Sequence, residues 1–294
     1  MMNKNYLLFL VSLFSQLFFQ NKLQAQNNDK NNSILWKVSG KKLAKPSYLF
    51  GTIHMICDQD YFFTDKMQKA FDATDKLVLE INLADMNTIM QYQQSMMLPP
   101  NKKLMNFFES EESYERFSSR FQKQIGLSTE GFQTLKPIVL LSLISQKGFQ
   151  CDKTSSYEMN LIEMSKKNGN EIAGLETTMS QLKIFDDMKD SEIEALLNSS
   201  LDDMEKDNKT QAQMITYYKA QDIDHLYNLI IESKEFQNHE DALINDRNKN
   251  WAELLPEIMS ERPCFVAVGA GHLSGEKGLI QLLKNKGYTV EMVK

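Results

Sequence analysis

Two short segments carry the residues best suited to chemistry. "GTIH" occupies residues 51–54 and "GAGH" residues 269–272, so two of the four histidines end the same Gly-x-x-His pattern, one near each end of the chain. Each pattern follows an apolar, strand-like run, "SYLFG" and "FVAVG". A third polar residue, Glu80, stands in "LVLEINL", where a carboxylate is costly to bury unless it is paired, hydrogen-bonded or metal-bound. His54, Glu80 and His272 together offer two imidazoles and a carboxylate, a donor set for a divalent metal with an open coordination position. A metal so held lowers the pKa of bound water, and hydrolysis is the natural reaction. Burial alone would raise the pKa of Glu80 and a cation would oppose that, so its protonation is expected to couple to metal occupancy.

Plainer readings compete. A histidine at a strand end is often a satisfied structural group, and a buried Glu80 could simply pair with Arg247 or a lysine. His225 and His239 lie on charged helical stretches without a Glu-x-x-His pattern, and no HExxH, GxSxG or P-loop occurs. The 17 methionines are spread along helices at core-like positions, where filling irregular space is the commoner use than binding soft metals.

The candidate residues must be positioned by the elements around them. "SILWKV", "PSYLFGTIHM" and "DKLVLEINL" read as strands, and "TDKMQKAFDAT" as a helix with Met67, Ala70 and Phe71 on its apolar face and Thr64 or Asp65 as its cap. This strand–helix–strand order favours a parallel pair. Residues 86–262 are mostly helical, interrupted by the strand "NEIAGLET". The chain closes with "PCFVAVGAGHL", a helix from Ser274 through Lys286 stopped by Gly287, and the strand "YTVEMV". Neither end has enough strands to stand alone, so the two ends are expected to share one sheet. The fold class is therefore α/β, a mixed sheet formed from the N- and C-terminal segments with a large helical insertion. Both histidines then lie beyond the carboxyl ends of strands, where open α/β sheets place their ligands. Gly51, Gly269 and Gly271 would allow close backbone approach there.

With 294 residues, 42% hydrophobic, the chain can build one large core. A formal charge of −6 and the lack of basic clusters argue against a nucleic-acid partner. Residues 1–25 follow the order of a secretory signal, with an early lysine, an interrupted apolar run from Tyr6 to Phe19 and a small residue, Ala25. Cleavage there removes Lys4 and Lys22 with no acid, taking the charge from −6 to −8. The expected organisation is a signal peptide (1–25), a flexible mature N-terminus (26–33) and a single domain (34–294), secreted to the periplasm, with no stable membrane span after cleavage. Three cysteines, Cys57, Cys151 and Cys264, leave at least one thiol free in an oxidising compartment, and the sequence does not choose the pair. Cys264, in an apolar run, reads as a buried inert thiol.

The motifs "FGTIHM" and "VGAGHL", with the glutamate of "LVLEINL" between them, resemble the TraB/GumN/TIKI family. The likeness covers nearly all of residues 34–294: "LWKVSG" and "PSYLFGTIH" are similar to its opening, "IAGLETTMSQL" to its Gly-Leu-Glu-Thr segment, "NDRNKNW" to its Arg-Asn-x-x-Trp helix and "VGAGHLSGEKGLIQLLKNKGYTV" to its close. The resemblance implies an arrangement like that of the erythromycin esterase and ChaN group. It also implies metal-dependent proteolysis with a divalent cation (Mn, Co or Zn), with His54, Glu80 and His272 in the metal or catalytic role. Glu176, Gln181, Arg247 and Asn248 would line or orient the site. In one departure, Glu158 stands where the family usually has Asp, one methylene shorter, and no role carries over to it.

The reading is an exported metal-dependent hydrolase acting on a peptide bond, its substrate a peptide or small molecule, with Glu80 as third ligand or general base. The alternative is a non-catalytic module that captures a peptide, haem or metal ligand. The oligomeric state is left open.

Overall fold

The computed structural model describes residues 32–41, 43–149, 151–205, 209–232 and 239–293. The expected signal peptide and residues 26–31 of the expected N-terminal tail lie outside the described residues. Alternating apolar residues form the hairpin of β1 (Leu35–Ser39) and β2 (Ser47–Thr52), antiparallel with Leu35 opposite Phe50. After the short β3 (Met55–Cys57), the cap Thr64 accepts from the Met67 N–H and starts α1 (Asp65–Asp72). The buried face of α1 is Met67, Ala70 and Phe71, as its spacing requires. Next come β4 (Lys76–Leu79), α2 (Met86–Ser95), α3 (Glu111–Ile125) and α4 (Ile138–Lys147), the last buried along Ile138–Ile144. They are followed by β5 (Thr154–Ser156), α5 (Tyr157–Asn168), β6 (Glu171–Gly174), α6 (Thr178–Asp186), α7 (Asp190–Glu205), α8 (Lys209–Lys219) and α9 (Ile223–Ile231). A π-helical turn, Asp241–Asn245, leads into α10 (Asp246–Glu261), and β7 (Cys264–Gly269), α11 (Leu279–Asn285) and β8 (Thr289–Met292) close the chain.

Six strands make one mixed sheet in the order β6-β4-β7-β2-β1-β8. The run from β6 to β2 is parallel, and β1 is antiparallel to both its neighbours. The α/β class and the meeting of the two chain ends are as expected. The register aligns the carboxyl ends: Thr52 is opposite Gly269, and Leu79 is opposite both Ala267 and Gly174. The residues just beyond those ends include His54, Glu80, His272 and Glu176.

Three expectations need correction. The strands on either side of α1 are parallel but not adjacent, because β7 lies between them and bonds to both. The segment 75–83 is a strand only to Leu79, so Glu80 stands just past its end. The last helix begins at Leu279 and not at Ser274, since Gly275 takes φ +87° and the chain folds so tightly at Gly278 that a Cβ there would lie 2.1 Å from the Ser274 carbonyl oxygen. Gly287, at φ +85°, ends that helix as expected.

One hydrophobic cluster extends from Ile34 to Val290. Phe265 of β7 sits 5.4 Å from the Phe50 ring of β2 and 5.3 Å from Phe71 of α1, each contact contributing about 0.5–1.5 kcal/mol beyond buried area. These contacts join β7 to β2 and to α1. Cys57 and Cys151 form a disulfide, and Cys264 is free and buried, its thiol pushed up to about 11 by burial. Among the described residues no helix is long and apolar enough to cross a membrane.

Candidate functional site

The strand order decides which groups meet. With β7 between β2 and β4, the turn after β7 carries His272 to the same end of the sheet as His54 and Glu80. His54 Nε2 and His272 Nε2 each lie 3.9 Å from the same atom, Glu80 Oε1. All three residues are buried, with exposures of 3% for His54, 4% for Glu80 and 2% for His272.

The far side of each ring is tied to an oxygen. His272 Nδ1 is 2.7 Å from Asn248 Oδ1, while the Asn248 amide donates to the Lys277 carbonyl at 2.9 Å. This amide orientation makes Nδ1 the donor and leaves the Nε2 lone pair facing the cluster. His54 Nδ1 lies 2.7 Å from Glu158 Oε1, which also accepts from Thr52 Oγ1 at 2.7 Å. The Trp251 ring packs against His272 with centroids 4.5 Å apart.

Arg247 stands at the centre. Its guanidinium reaches Glu80 Oε2 and Glu176 Oε1 at 2.6 Å each, donates to the Leu243 carbonyl at 3.0 Å and to His272 Nε2 at 3.0 Å, and stacks over Trp251. Gln181 donates to Glu80 Oε2 at 3.3 Å and to Glu176 Oε1 at 3.2 Å. The plain expectation that Glu80 pairs with Arg247 is therefore met, and the same carboxylate also faces both histidines.

Close packing explains the glycines. A Cβ on Gly269 would sit 3.1 Å from His54 Nε2 and 3.4 Å from Glu80 Oε1, inside the cluster, and the Gly269 N–H donates to Glu80 Oε1 at 2.8 Å. A Cβ on Gly51 would lie 2.9 Å from Leu273 and 3.0 Å from Ala270 Cα, in the turn that carries His272. Gly271 is pressed against Ile230, 2.7 Å from where its Cβ would be. Thus His54, Glu80, His272, Glu176, Gln181, Arg247, Asn248 and the three glycines converge on one region. His225 and His239 lie elsewhere, beside Asp222 and Glu192 respectively.

The electrostatics correct one expectation. Burial pushes the Glu80 carboxyl up, but Arg247, His272, His54 and the Gly269 N–H outweigh it and hold its pKa at about 2, well below the usual range. Burial did not prevail because the guanidinium lies at hydrogen-bond distance. Burial and the Arg247 charge press His272 down to about 3, so its ring is neutral near neutral pH. Burial also acts to lower His54, but Glu158 and then Glu80 reverse this and raise it above its ordinary value. Burial raises Glu176 against the pull of Arg247.

Sequence reasoning left Glu158 without a role and did not single out Thr52. Ser156 caps α5 and places Glu158 in its first turn, but the contact with His54 arises only from the pairing of β5 with β3, segments distant in sequence.

Among the described residues, no three or more His, Cys, Asp and Glu side chains are grouped to hold a metal ion as they stand. The donor chemistry nevertheless fits one, since two imidazole Nε2 atoms with tethered Nδ1 atoms face one carboxylate oxygen. The Arg247 guanidinium already donates to His272 Nε2 and Glu80 Oε2, so a cation there would have to displace it.

The chain is similar to proteins named for proteolysis. A metalloprotease TIKI homolog of Nematostella vectensis is 25% identical, over 90% of this chain and 67% of its own length. Metalloprotease TIKI2 of Danio rerio is 21% identical, over 88% of this chain and 61% of its own, and metalloprotease TIKI1 of Homo sapiens 20%, over 88% and 62%. The chain thus spans roughly three-fifths to two-thirds of the relatives it matches. No solved structure matches it. The TraB/PrgY/gumN family profile matches residues 34–292, nearly the whole described chain including both Gly-x-x-His motifs, and the chain belongs to the TraB/PrgY/gumN family.

Proposed function

We propose that this protein is an exported, metal-dependent hydrolase acting on peptide bonds, with His54, Glu80 and His272 as its working groups. One observation carries the reading: two histidine Nε2 atoms each lie 3.9 Å from a single carboxylate oxygen, with both Nδ1 atoms held by other residues. A divalent cation held by His54 Nε2, Glu80 Oε1 and His272 Nε2 would supply Lewis acidity toward a carbonyl. Asn248 and Glu158 orient the two rings, and the Gly269 N–H orients Glu80. A carboxyl with a pKa near 2 is a weak base, which favours Glu80 as a ligand over Glu80 as a general base. Displaced from His272, Arg247 would keep its charge on Glu176 and be placed to stabilise negative charge. The relatives' names support the class of reaction. The Cys57–Cys151 disulfide fits an oxidising compartment and, with the signal-like residues 1–25, supports export.

Burial favours a second reading, because exposures of 2–4% describe a closed site that could hold a ligand without turnover. Metal analysis of the mature protein (from about residue 26) beside His54→Ala and His272→Ala separates the two when followed by a peptide-library cleavage screen with Glu80→Gln as control. Near-stoichiometric metal lost in both variants, with cleavage abolished by Glu80→Gln, is the expected result. Ion content unaltered by His54→Ala would overturn the metal site, and metal without cleavage would favour the holding role.

A further inference from the structure

The Glu158 carboxylate is engaged at both oxygens. Oε1 takes the Thr52 hydroxyl at 2.7 Å and lies 2.7 Å from His54 Nδ1, and Oε2 accepts from Ser156 Oγ at 3.2 Å. Since Oε1 acts as an acceptor toward Thr52, the contact with the ring is completed by Nδ1–H donating. In a neutral imidazole this leaves the lone pair on Nε2, the atom facing Glu80.

The backbone brings the same two residues together. His54 takes φ +56°, a left-handed conformation that a non-glycine residue keeps only where its surroundings hold it. Its carbonyl accepts from the N–H of Tyr157, the residue before Glu158, at 3.1 Å. The pairing continues as β3 against β5, with Met55 opposite Ser156 and Cys57 opposite Thr154, and the Cys57–Cys151 disulfide joins the two arms. Histidine and carboxylate are thus presented to each other by a hydrogen bond, a short ladder and a covalent link.

We propose that Glu158 is the positioning residue of the site, holding the His54 proton on Nδ1 and so turning the Nε2 lone pair toward Glu80 and His272. The proposal rests on reading His54 as a working group, but the state of its ring is observable without turnover. The full chain, labelled with 15N-histidine, would be examined by long-range 1H–15N correlation of the imidazole rings at a pH where His54 is neutral, with His54→Ala for assignment. The expected result is a proton on Nδ1 in the parent. In Glu158→Ala and Glu158→Leu, the second keeping the space filled, the Nδ1–H signal should be lost as the main form and an Nε2–H signal appear. Glu158→Gln, which keeps an acceptor oxygen beside Thr52, should retain the parental ring. A parent ring protonated on Nε2 would overturn the proposal whether or not any variant folds. So would Ala and Leu variants with lowered Tm but an unchanged tautomer, since that is the mark of a merely structural role. A parent that holds the expected tautomer but cleaves no peptide would remove the hydrolase and leave this inference standing.

Discussion

Arg247 ties two carboxylates and an imidazole to one buried cation, so its removal has consequences of two kinds. Replacing it with leucine leaves Glu80 and Glu176 facing each other without a counter-charge, and breaking a buried pair in this way costs about 3–5 kcal/mol. Arg247→Leu should therefore lower the denaturant midpoint sharply, and adding Glu176→Gln should recover part of the loss. The same substitution removes the guanidinium from His272 Nε2 and Glu80 Oε2, so Mn, Co or Zn should raise the Tm of Arg247→Leu more than that of the parent. An equal rise would mean that the guanidinium and a cation do not compete. Gly269→Ala tests the same space from the strand side, because its methyl would lie 3.1 Å from His54 Nε2 and 3.4 Å from Glu80 Oε1. Metal titration should show a loss of affinity of roughly tenfold or more, the scale of a disturbed ligand surround. At this scale the sequence was informative wherever a residue was chemically out of place: a glutamate in an apolar run, a histidine after a glycine. It was silent on Glu158, whose partner His54 is brought to it only by the pairing of β3 with β5.

Elements were legible by period and punctuation, and their neighbours were not. The α1 face, the Thr64 cap and the Gly287 stop all follow from short-range rules. The insertion of β7 between β2 and β4 brings Phe50, Phe71 and Phe265 into contact from segments distant in sequence. Likewise the partner of Cys57 became evident only once β5 was seen beside β3. That two-stranded ladder has three residues a side, too few to persist unsupported in water. Cys57→Ser with Cys151→Ser should cost about 2–5 kcal/mol of stability, since the crosslink closes a separation of 94 residues. Amide exchange at Tyr157, whose N–H is bonded to the His54 carbonyl, should accelerate by more than the global loss explains. Exchange there that merely follows the global change would show that the ladder holds without the disulfide.

For the whole molecule, the site ties folding to pH through groups with opposing shifts. His272 has a folded pKa of about 3 against an ordinary 6.5, so its contribution is present above pH 6.5 and is lost as pH falls toward 3. Glu80, at about 2 against 4.5, is also depressed, and its contribution is lost as pH falls from 4.5 toward 2. His54 has the opposite sign, because its raised pKa gives stability that is full below 6.5 and declines as pH rises through the folded value. Metal-free protein should therefore lose stability on acidification in two overlapping stages, each on the order of a few kcal/mol, His272 beginning first. In His272→Gln the decline between pH 6.5 and 4.5 should flatten while the lower stage persists. Denaturant midpoints collected from about pH 2 to about pH 8 in chelator would read this directly. A His272→Gln profile parallel to that of the parent would show that the ring is not held neutral by Arg247 and burial, and that the charge on Arg247 is spent on the two carboxylates alone.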